Sequence, residues 1–295
     1  MDIIDGLCEI PGFNVSGNKT LLSHGFQRVR YASATDDTDL PAWAAAACSK
    51  LLCKHGISIQ EVGTIVSISV SAATDGSSTA APGICHSIQK KLGATNAFVF
   101  DAFYNDWGTA LDIANALLLK QEHHYGLIVK AEMFTNFEID EANGFVLPDG
   151  VSVILFKAAA QQESVRYFYT ECNNIQEASV SYVPNKDLEN CHMKFQLKWK
   201  QNNDTVKSVQ KEQHQMLQDD CNHADLFIKE NWFPYYNDDS SQPVVQGKEM
   251  DFLGMHYLPW RIQHEKADGQ KKDKTAMALL FNPFALKHIS FTFKI

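Results

Sequence analysis

The chain has 295 residues, 45% hydrophobic and 21% charged, a globular composition that excludes disorder and collagen-like repeats. At roughly 150 residues per domain, this is one large domain or two medium ones. Lys and Arg number 26 against 35 Asp and Glu, and the net charge of −9 argues against nonspecific nucleic-acid binding while leaving room for a local basic pocket.

No apolar run reaches the ~20 residues that span a bilayer, so no membrane partner is expected. Met1-Asp2-Ile3-Ile4-Asp5 has neither a basic region nor a long apolar core and does not read as a signal peptide. The seven cysteines, at 8, 48, 53, 85, 172, 191 and 221, are odd in number and form no Cys-x-x-Cys pair. That usage suits a reduced, cytoplasmic chain.

In chain order, Asp39-Leu40-Pro41 predicts a helix start, with Asp as N-cap and Pro in the first turn. Trp43, Ala46, Ala47, Cys48, Leu51 and Leu52 continue at helical spacing to Gly56, which sits where a C-terminal cap belongs. Residues 64–70 predict a strand, 72–78 a loop, and 82–91 a second helix ending at Gly93. Residues 97–101 predict a short buried strand. Trp107, Ala110, Leu111, Ala114, Leu117 and Leu118 form one apolar stripe on the helix that follows. Strands at 126–131 and 151–157 close this half, the second after the turn Pro148-Asp149-Gly150.

The stretch 161–201 is more polar, with strand-like alternation at 194–200. Residues 205–219 predict an exposed helix and 225–228 a strand. Strands at 276–281 and 289–293 form a closing pair that mirrors 126–131 and 151–156. The matching ends predict an internal duplication, with halves at 1–158 and 159–295, the second shortened.

Several residue pairs fail as sites on geometry. Cys85 and His86 are adjacent on a predicted helix, about 100° apart, and do not meet as nucleophile and base. Cys191-His192 and His123-His124 fail as metal pairs for the same reason, and no spacing fits zinc, so no metal is expected. Gly6, Gly12 and Gly17 lack the strand–turn–helix context of a nucleotide loop.

Four motifs carry a resemblance. Gly25-Phe26-Gln27-Arg28-Val29-Arg30-Tyr31-Ala32 with Thr38-Asp39-Leu40 resembles the opening segment of β-ketoacyl-ACP synthase III enzymes. Leu92-Gly93-Ala94 with Phe100-Asp101 is similar to that family's approach to its nucleophile, and Asp149-Gly150 with Val153-Ile154-Leu155 to its Gly-Asp-Gly hairpin. Asp225-Leu226-Phe227-Ile228 resembles the start of its Asp-Leu-Phe-Val-Pro-His-Gln-Ala-Asn segment. The resemblance implies an α/β protein of the thiolase fold, five-layered αβαβα from two duplicated halves.

The departures from the family bear on function. The nucleophilic Cys, five residues after the Asp of Phe-Asp, falls on Asp106. The catalytic His falls on Glu230, and the essential Asn, after Gly, falls on Met255. A thiolate over a helix N-terminus is a strong nucleophile with a lowered pKa. An Asp there would have to form a mixed anhydride with no imidazole beside it, and a Glu is expected to put negative charge where an oxyanion develops. The triad positions are thus expected to be degenerate and the chain inactive by itself.

Ala81-Pro82, Ile84, His86, Gln89-Lys90, Gly144-Phe145, Glu230-Asn231-Trp232-Phe233 and Phe281-Asn282-Pro283-Phe284 are similar to the non-catalytic subunit of heterodimeric 2-alkyl-4-quinolone synthases. This implies a catalytic ketosynthase III partner keeping Cys, His and Asn. Acyl-CoA or acyl carrier protein chemistry would sit on that partner, with no cofactor here and a fatty-acyl-derived secondary metabolite such as an alkylquinolone as product. Family dimers join through the strand leading to the nucleophile, here Ala97, Phe98, Val99, Phe100 and Asp101. A loop matched by 74–82, including Ala80 and Ala81, reaches the partner's acyl tunnel. Arg28 and Arg30 fall where active enzymes keep basic residues near the coenzyme A channel, though an ordinary surface or interface role is favoured.

Two other readings stand beside this one. The chain could be a stand-alone diverged acyltransferase or hydrolase using Asp106 and Glu230 as an acid–base couple. If both face one dry pocket, one of them should have a raised pKa. It could also be a homodimeric acyl-binding regulator.

Overall fold

Strand β1 (Asp2–Glu9) opens the chain, followed by the antiparallel pair β2 (Phe13–Ser16) and β3 (Arg28–Tyr31). Helix α1 (Leu40–His55) starts as its sequence dictates: the Asp39 carboxylate accepts from the Ala42 N–H at 3.0 Å, and Gly56 closes the helix in the left-handed region at φ 64°. Then come β4 (Val62–Ser67), α2 (Ile84–Leu92), β5 (Phe98–Asp101), α3 (Trp107–Leu118), β6 (Tyr125–Glu132), β7 (Phe137–Ile139) and β8 (Gly150–Lys157). The second half holds β9 (Arg166–Tyr169), β10 (Ala178–Pro184), β11 (Met193–Trp199), β12 (Leu226–Glu230), α4 (Tyr257–Ala267), β13 (Thr275–Asn282) and β14 (Lys287–Lys294).

This computed structural model describes residues 2–11, 13–16, 28–31, 39–69, 83–103, 105–133, 137–139, 148–159, 166–169, 178–184, 193–199, 224–230, 253–268, 274–282 and 287–295. The expected loop 74–82 with Ala80 and Ala81, the helix 205–219, the Cys191-His192 pair and the side chains of Arg28 and Arg30 lie outside the described residues.

Several elements depart from expectation, and three of them have a physical cause in the contacts around them. The strand expected at 64–70 ends at Ser67: the Ile68 N–H still donates to the Val129 carbonyl at 2.9 Å, and one step on the Ser69 hydroxyl accepts the Ala131 N–H at 3.0 Å in place of a backbone carbonyl. β1 is absent from the sequence reading because it carries Asp5 and Gly6 at its centre. Asp5 is nonetheless buried, accepting from Lys54 Nζ at 2.6 Å and the Gly6 N–H at 2.8 Å, with His55 Nε2 at 2.8 Å. Gly6 is there for space, since a Cβ would come 2.6 Å from the Pro259 carbonyl oxygen of α4. α4 itself is disguised by Pro259 and by the lack of a side-chain cap on its first turn.

Two sheets repeat one plan. The first runs β1-β8-β6-β4-β5, with β4 parallel to β5 and β6, and β8 antiparallel to β6 and β1. The second runs β9-β14-β13-β12, with β12 parallel to β13, and β14 antiparallel to β13 and β9. Strand for strand, β1-β8-β6-β4 and β9-β14-β13-β12 match in order and direction. β10, β11 and β7 form a smaller sheet.

α1 and α2 cover the outer face of the first sheet, packing Cys48, Leu51, Cys85 and Ile88 on Leu127, Val129, Val153 and Leu155. α3 and α4 lie between the two sheets. There Trp107, Leu111, Leu258 and Ile262 join Ile128 and Ile154 of the first sheet to Ala278, Leu280, Ile289 and Phe291 of the second. The described residues thus stack helix, sheet, helix, sheet.

Candidate functional site

Alternation along β6 and β8 decides which side chains reach the inner layer. Leu127, Val129, Val151 and Val153 pack outward with α1 and α2, whereas Ile128 and Ile154 pack inward. Lys130 and Ser152 share the inward parity and pair in register, and Ser152 pairs in turn with Cys8. A polar row therefore crosses three strands beneath the ends of two further elements. Asp106 stands at the start of α3 and Glu230 ends β12, while Met255 and His256 lie in the single 3₁₀ turn Gly254–His256 before α4. Asp106, Lys130 and Glu230 are each 1% exposed, and Glu132, Ser152, Met255 and His256 are at 0%, so this is a buried cluster of charge.

The three positions read from distant motifs meet here. The Trp107 indole N–H, next to Asp106, donates to the Met255 carbonyl at 3.0 Å. Asp106 Oδ1 accepts from the Thr109 N–H at 2.8 Å, and its Oδ2 accepts from the Thr109 hydroxyl at 3.0 Å. Glu230 Oε2 accepts from the Leu258 N–H, in the first turn of α4, at 3.0 Å. The first turn of each helix leaves N–H groups without intrahelical partners and carries the positive end of the helix dipole. In both helices, a carboxylate of this chain occupies that end.

Burial raises the Glu230 pKa to about 8, with Asp106 adding to the rise and Leu258, Lys130 and Trp107 opposing it. This corrects one expectation: near neutral pH Glu230 mostly holds a proton, so it is a neutral acid and not a negative charge. Burial pushes Lys130 the other way, downward, against Glu132, Glu230 and Asp106. Burial also holds the His256 imidazole at about 3, helped by Lys130 and opposed by the Pro148 carbonyl. His256 is therefore neutral. Its Nδ1 lies 2.8 Å from Ser152 Oγ, and its Nε2 is buried without a hydrogen-bond partner among the described residues.

Cys8 is the described cysteine of this cluster, set beside Ser152 with the imidazole beyond. Burial pushes its thiol up to about 12, so it is no thiolate nucleophile. Cys85 is buried, donates its thiol to the Ile65 carbonyl at 3.1 Å and is pushed up by burial, while His86 is exposed; the two do not form a dyad. Among the described residues, no group of three or more His, Cys, Asp and Glu could hold a metal ion. No helix among them is long and apolar enough to cross a membrane.

Ala97 is buried, but β5 is an edge strand of its sheet and Phe98 is 54% exposed. Val99, Phe100 and Asp101 are partly buried, and Asp101 accepts from the Cys85 N–H at 3.0 Å. Arg28 and Arg30 lie two apart on β3.

Sequence reasoning missed Lys130, Glu132, Ser152 and His256. A signal was present: Lys130 and Glu132 are charges of one parity inside an apolar strand. Buried charges are rare unless they are paired.

No known family profile matches the chain. It is 37% identical over 75 residues to the 2-heptyl-4(1H)-quinolone synthase subunit PqsB of Pseudomonas aeruginosa, a match covering 25% of this chain and 26% of that subunit. The chain thus aligns with about a quarter of its curated relative. Among solved structures, the 3-oxoacyl-[acyl-carrier-protein] synthase III of Aquifex aeolicus superposes with a TM-score of 0.73 at 14% identity, covering 100% of this chain and 99% of that one. The Thermus thermophilus synthase III gives 0.72 at 14%, covering 100% and 99%. That of Pseudomonas aeruginosa gives 0.72 at 13%, covering 99% and 97%. The chain shares the thiolase fold of these synthase III structures and carries a segment similar to PqsB.

Proposed function

We propose that this chain is a subunit that makes no bonds itself and pairs with a ketosynthase III-type chain bearing Cys, His and Asn. Together they would form an acyltransferase or condensing complex for a fatty-acyl-derived secondary metabolite, an alkylquinolone being the favoured product class. One observation carries the reading: the N-terminal turns of α3 and α4 are filled by the chain's own Asp106 and Glu230. Acyl transfer needs a nucleophile and oxyanion donors at such places. Donors that already serve resident carboxylates are not open to a thioester. The relative's role, a subunit of a quinolone synthase, supports the same reading.

The edge strand β5, with Phe98 exposed, supports pairing through residues 97–101. The complex is taken to be cytoplasmic, fed by acyl-CoA or acyl carrier protein on the partner, with no cofactor or metal held here. The two halves are taken to divide near residue 158.

Co-expression with a Cys-bearing ketosynthase from the same gene neighbourhood tests the proposal. The two chains should co-purify, Phe98→Lys should separate them, and acyl transfer by the partner should depend on this chain. An unchanged partner rate sinks the idea.

The raised pKa of Glu230 favours a second reading, a stand-alone acyltransferase or hydrolase in which neutral Glu230 is the acid and Asp106 the base. That reading requires the isolated chain to turn over an acyl thioester and to lose the activity in both Asp106→Ala and Glu230→Gln.

A further inference from the structure

The inward parity of β8 runs through Gly150, Ser152 and Ile154. The buried His256 imidazole lies along that face. Its Nδ1 is 2.8 Å from Ser152 Oγ, and its other edge reaches Gly150: a Cβ there would stand 3.5 Å from Nε2 and 3.6 Å from Cδ2. The same Cβ would stand 3.0 Å from the Glu9 carbonyl oxygen at the end of β1. Gly150 lies outside the left-handed region, so its backbone angle does not call for glycine. What its bare Cα provides is room between a carbonyl oxygen and a ring nitrogen. That nitrogen, Nε2, is buried and has no hydrogen-bond partner among the described residues. Buried polar atoms are nearly always paired, with protein or with ordered water. The groups around this one are acceptors: the Glu9 carbonyl, and the Pro148 carbonyl that also acts on the imidazole. A neutral imidazole carries its proton on one nitrogen and accepts on the other. Carbonyl oxygens repel a bare Nε2 and attract an Nε2–H, so the proton belongs there. Nδ1 then accepts from the Ser152 hydroxyl.

We propose that one structural water is bound over the Cα of Gly150, accepting from the His256 Nε2–H and donating to the Glu9 carbonyl. A water standing slightly farther from the backbone than the missing Cβ meets both groups at bridging distances. Two protein partners and a further carbonyl nearby are what a buried water needs. Its effect is positional. His256 ends the turn Gly254–His256, which also holds Met255, and the imidazole is then tied at both nitrogens, to β8 through Ser152 and to β1 through the water. The inference goes beyond the partner reading and stands without it.

The test is nuclear magnetic resonance on the isolated, resonance-assigned chain labelled with 15N-histidine. A long-range proton–nitrogen correlation reads the tautomer of His256, and a water-selective NOE and ROE pair reads the neighbour of its ring proton. The expected result is a protonated Nε2 whose proton shows NOE and ROE peaks of opposite sign at the water frequency, the mark of a bound water and not of exchange. In Gly150→Ser the new hydroxyl takes the place of the water, so the Nε2 proton should remain and its water peaks should be lost. Protonation at Nδ1 overturns the proposal. So does an Nε2 proton without water contact, which means a direct bond to protein, and so does a water contact that survives in Gly150→Ser. The first two readings need only the unsubstituted chain, so the proposal stays refutable where Gly150→Ser does not fold. The partner enters none of them, so failure here is distinct from failure of the complex to form.

Discussion

Glu230→Gln gives a stability change whose sign and pH window follow from the site. Glu230 titrates at 4.5 when unperturbed and at about 8 in the fold, chiefly because it is buried. Between these values the folded chain holds a proton that the unfolded chain has released. Stability from this group is therefore full below pH 4.5 and is lost as pH rises towards 8. At about 1.36 kcal/mol per pKa unit, the loss is about 3 kcal/mol by pH 7 and about 5 kcal/mol over the whole window. A glutamine keeps the neutral shape and an oxygen for the Leu258 N–H. The variant and the parent should unfold alike near pH 4.5, with the variant about 3 kcal/mol more stable at pH 7 and the gap flat above pH 8. The depressed Lys130 acts in both chains and cancels to first order. Urea unfolding followed by far-ultraviolet circular dichroism at pH 5, 6, 7 and 8 measures the gap. A gap that is constant, or that narrows as pH rises, refutes the assignment of Glu230 as a buried neutral acid.

Other expectations follow from single contacts. A Cβ on Gly83 would stand 1.9 Å from Asp101 Oδ2, so Gly83→Ala should force the carboxylate off the Cys85 N–H. The cost is about 1–3 kcal/mol in melting experiments, and adding Asp101→Ala should recover part of it. Trp107→Phe strands the buried Met255 carbonyl and should cost a similar ~1–3 kcal/mol, with an unchanged melting point as the contrary result. In brief native iodoacetamide labelling read by peptide mass spectrometry, exposed Cys53 should react before Cys48, whose thiol burial pushes up to about 12. Labelling of Cys48 or Cys85 first would contradict their burial.

Legibility in the sequence tracked how local the determining physics is. α1 could be read because its cap, its stripe and its closing glycine all lie within one stretch of chain. The stripe from Trp107 to Leu118 was legible for the same reason, and so were the apolar runs that became β6, β8, β13 and β14. β1 could not be read, because the groups that make Asp5 tolerable are contributed by the far end of α1. Asp106 could be placed by counting from Asp101, but its capping bonds could be seen only once α3 was built on it. Glu230 was expected to be charged, whereas burial keeps it mostly protonated near neutral pH. Burial raises its pKa while Leu258 and Trp107, residues remote in sequence, hydrogen-bond it and oppose the rise, and no count of spacing reports that balance. Lys130 was passed over because periodicity shows which way a side chain points and not what waits there.

The duplication makes the site a meeting of equivalents, and this yields a last prediction. α3 precedes β6 and α4 precedes β13, strands that hold the same place in the two sheets. Both helices begin at the same buried cluster, and each has its first turn taken by a carboxylate. Introducing a thiol on one side alone therefore leaves the other side closed. In Asp106→Cys the new thiol would lie over the start of α3, but α3 would lose its cap, at about 1 kcal/mol. The Leu258 N–H would still serve Glu230, and the buried His256, held near 3, would remain a poor base. Incubation of this variant with an acyl-CoA should give no acyl adduct on the introduced thiol by intact-protein mass spectrometry. A stoichiometric adduct would mean that this chain lacks only its nucleophile, and that the occupied turn of α4 is no barrier to the chemistry.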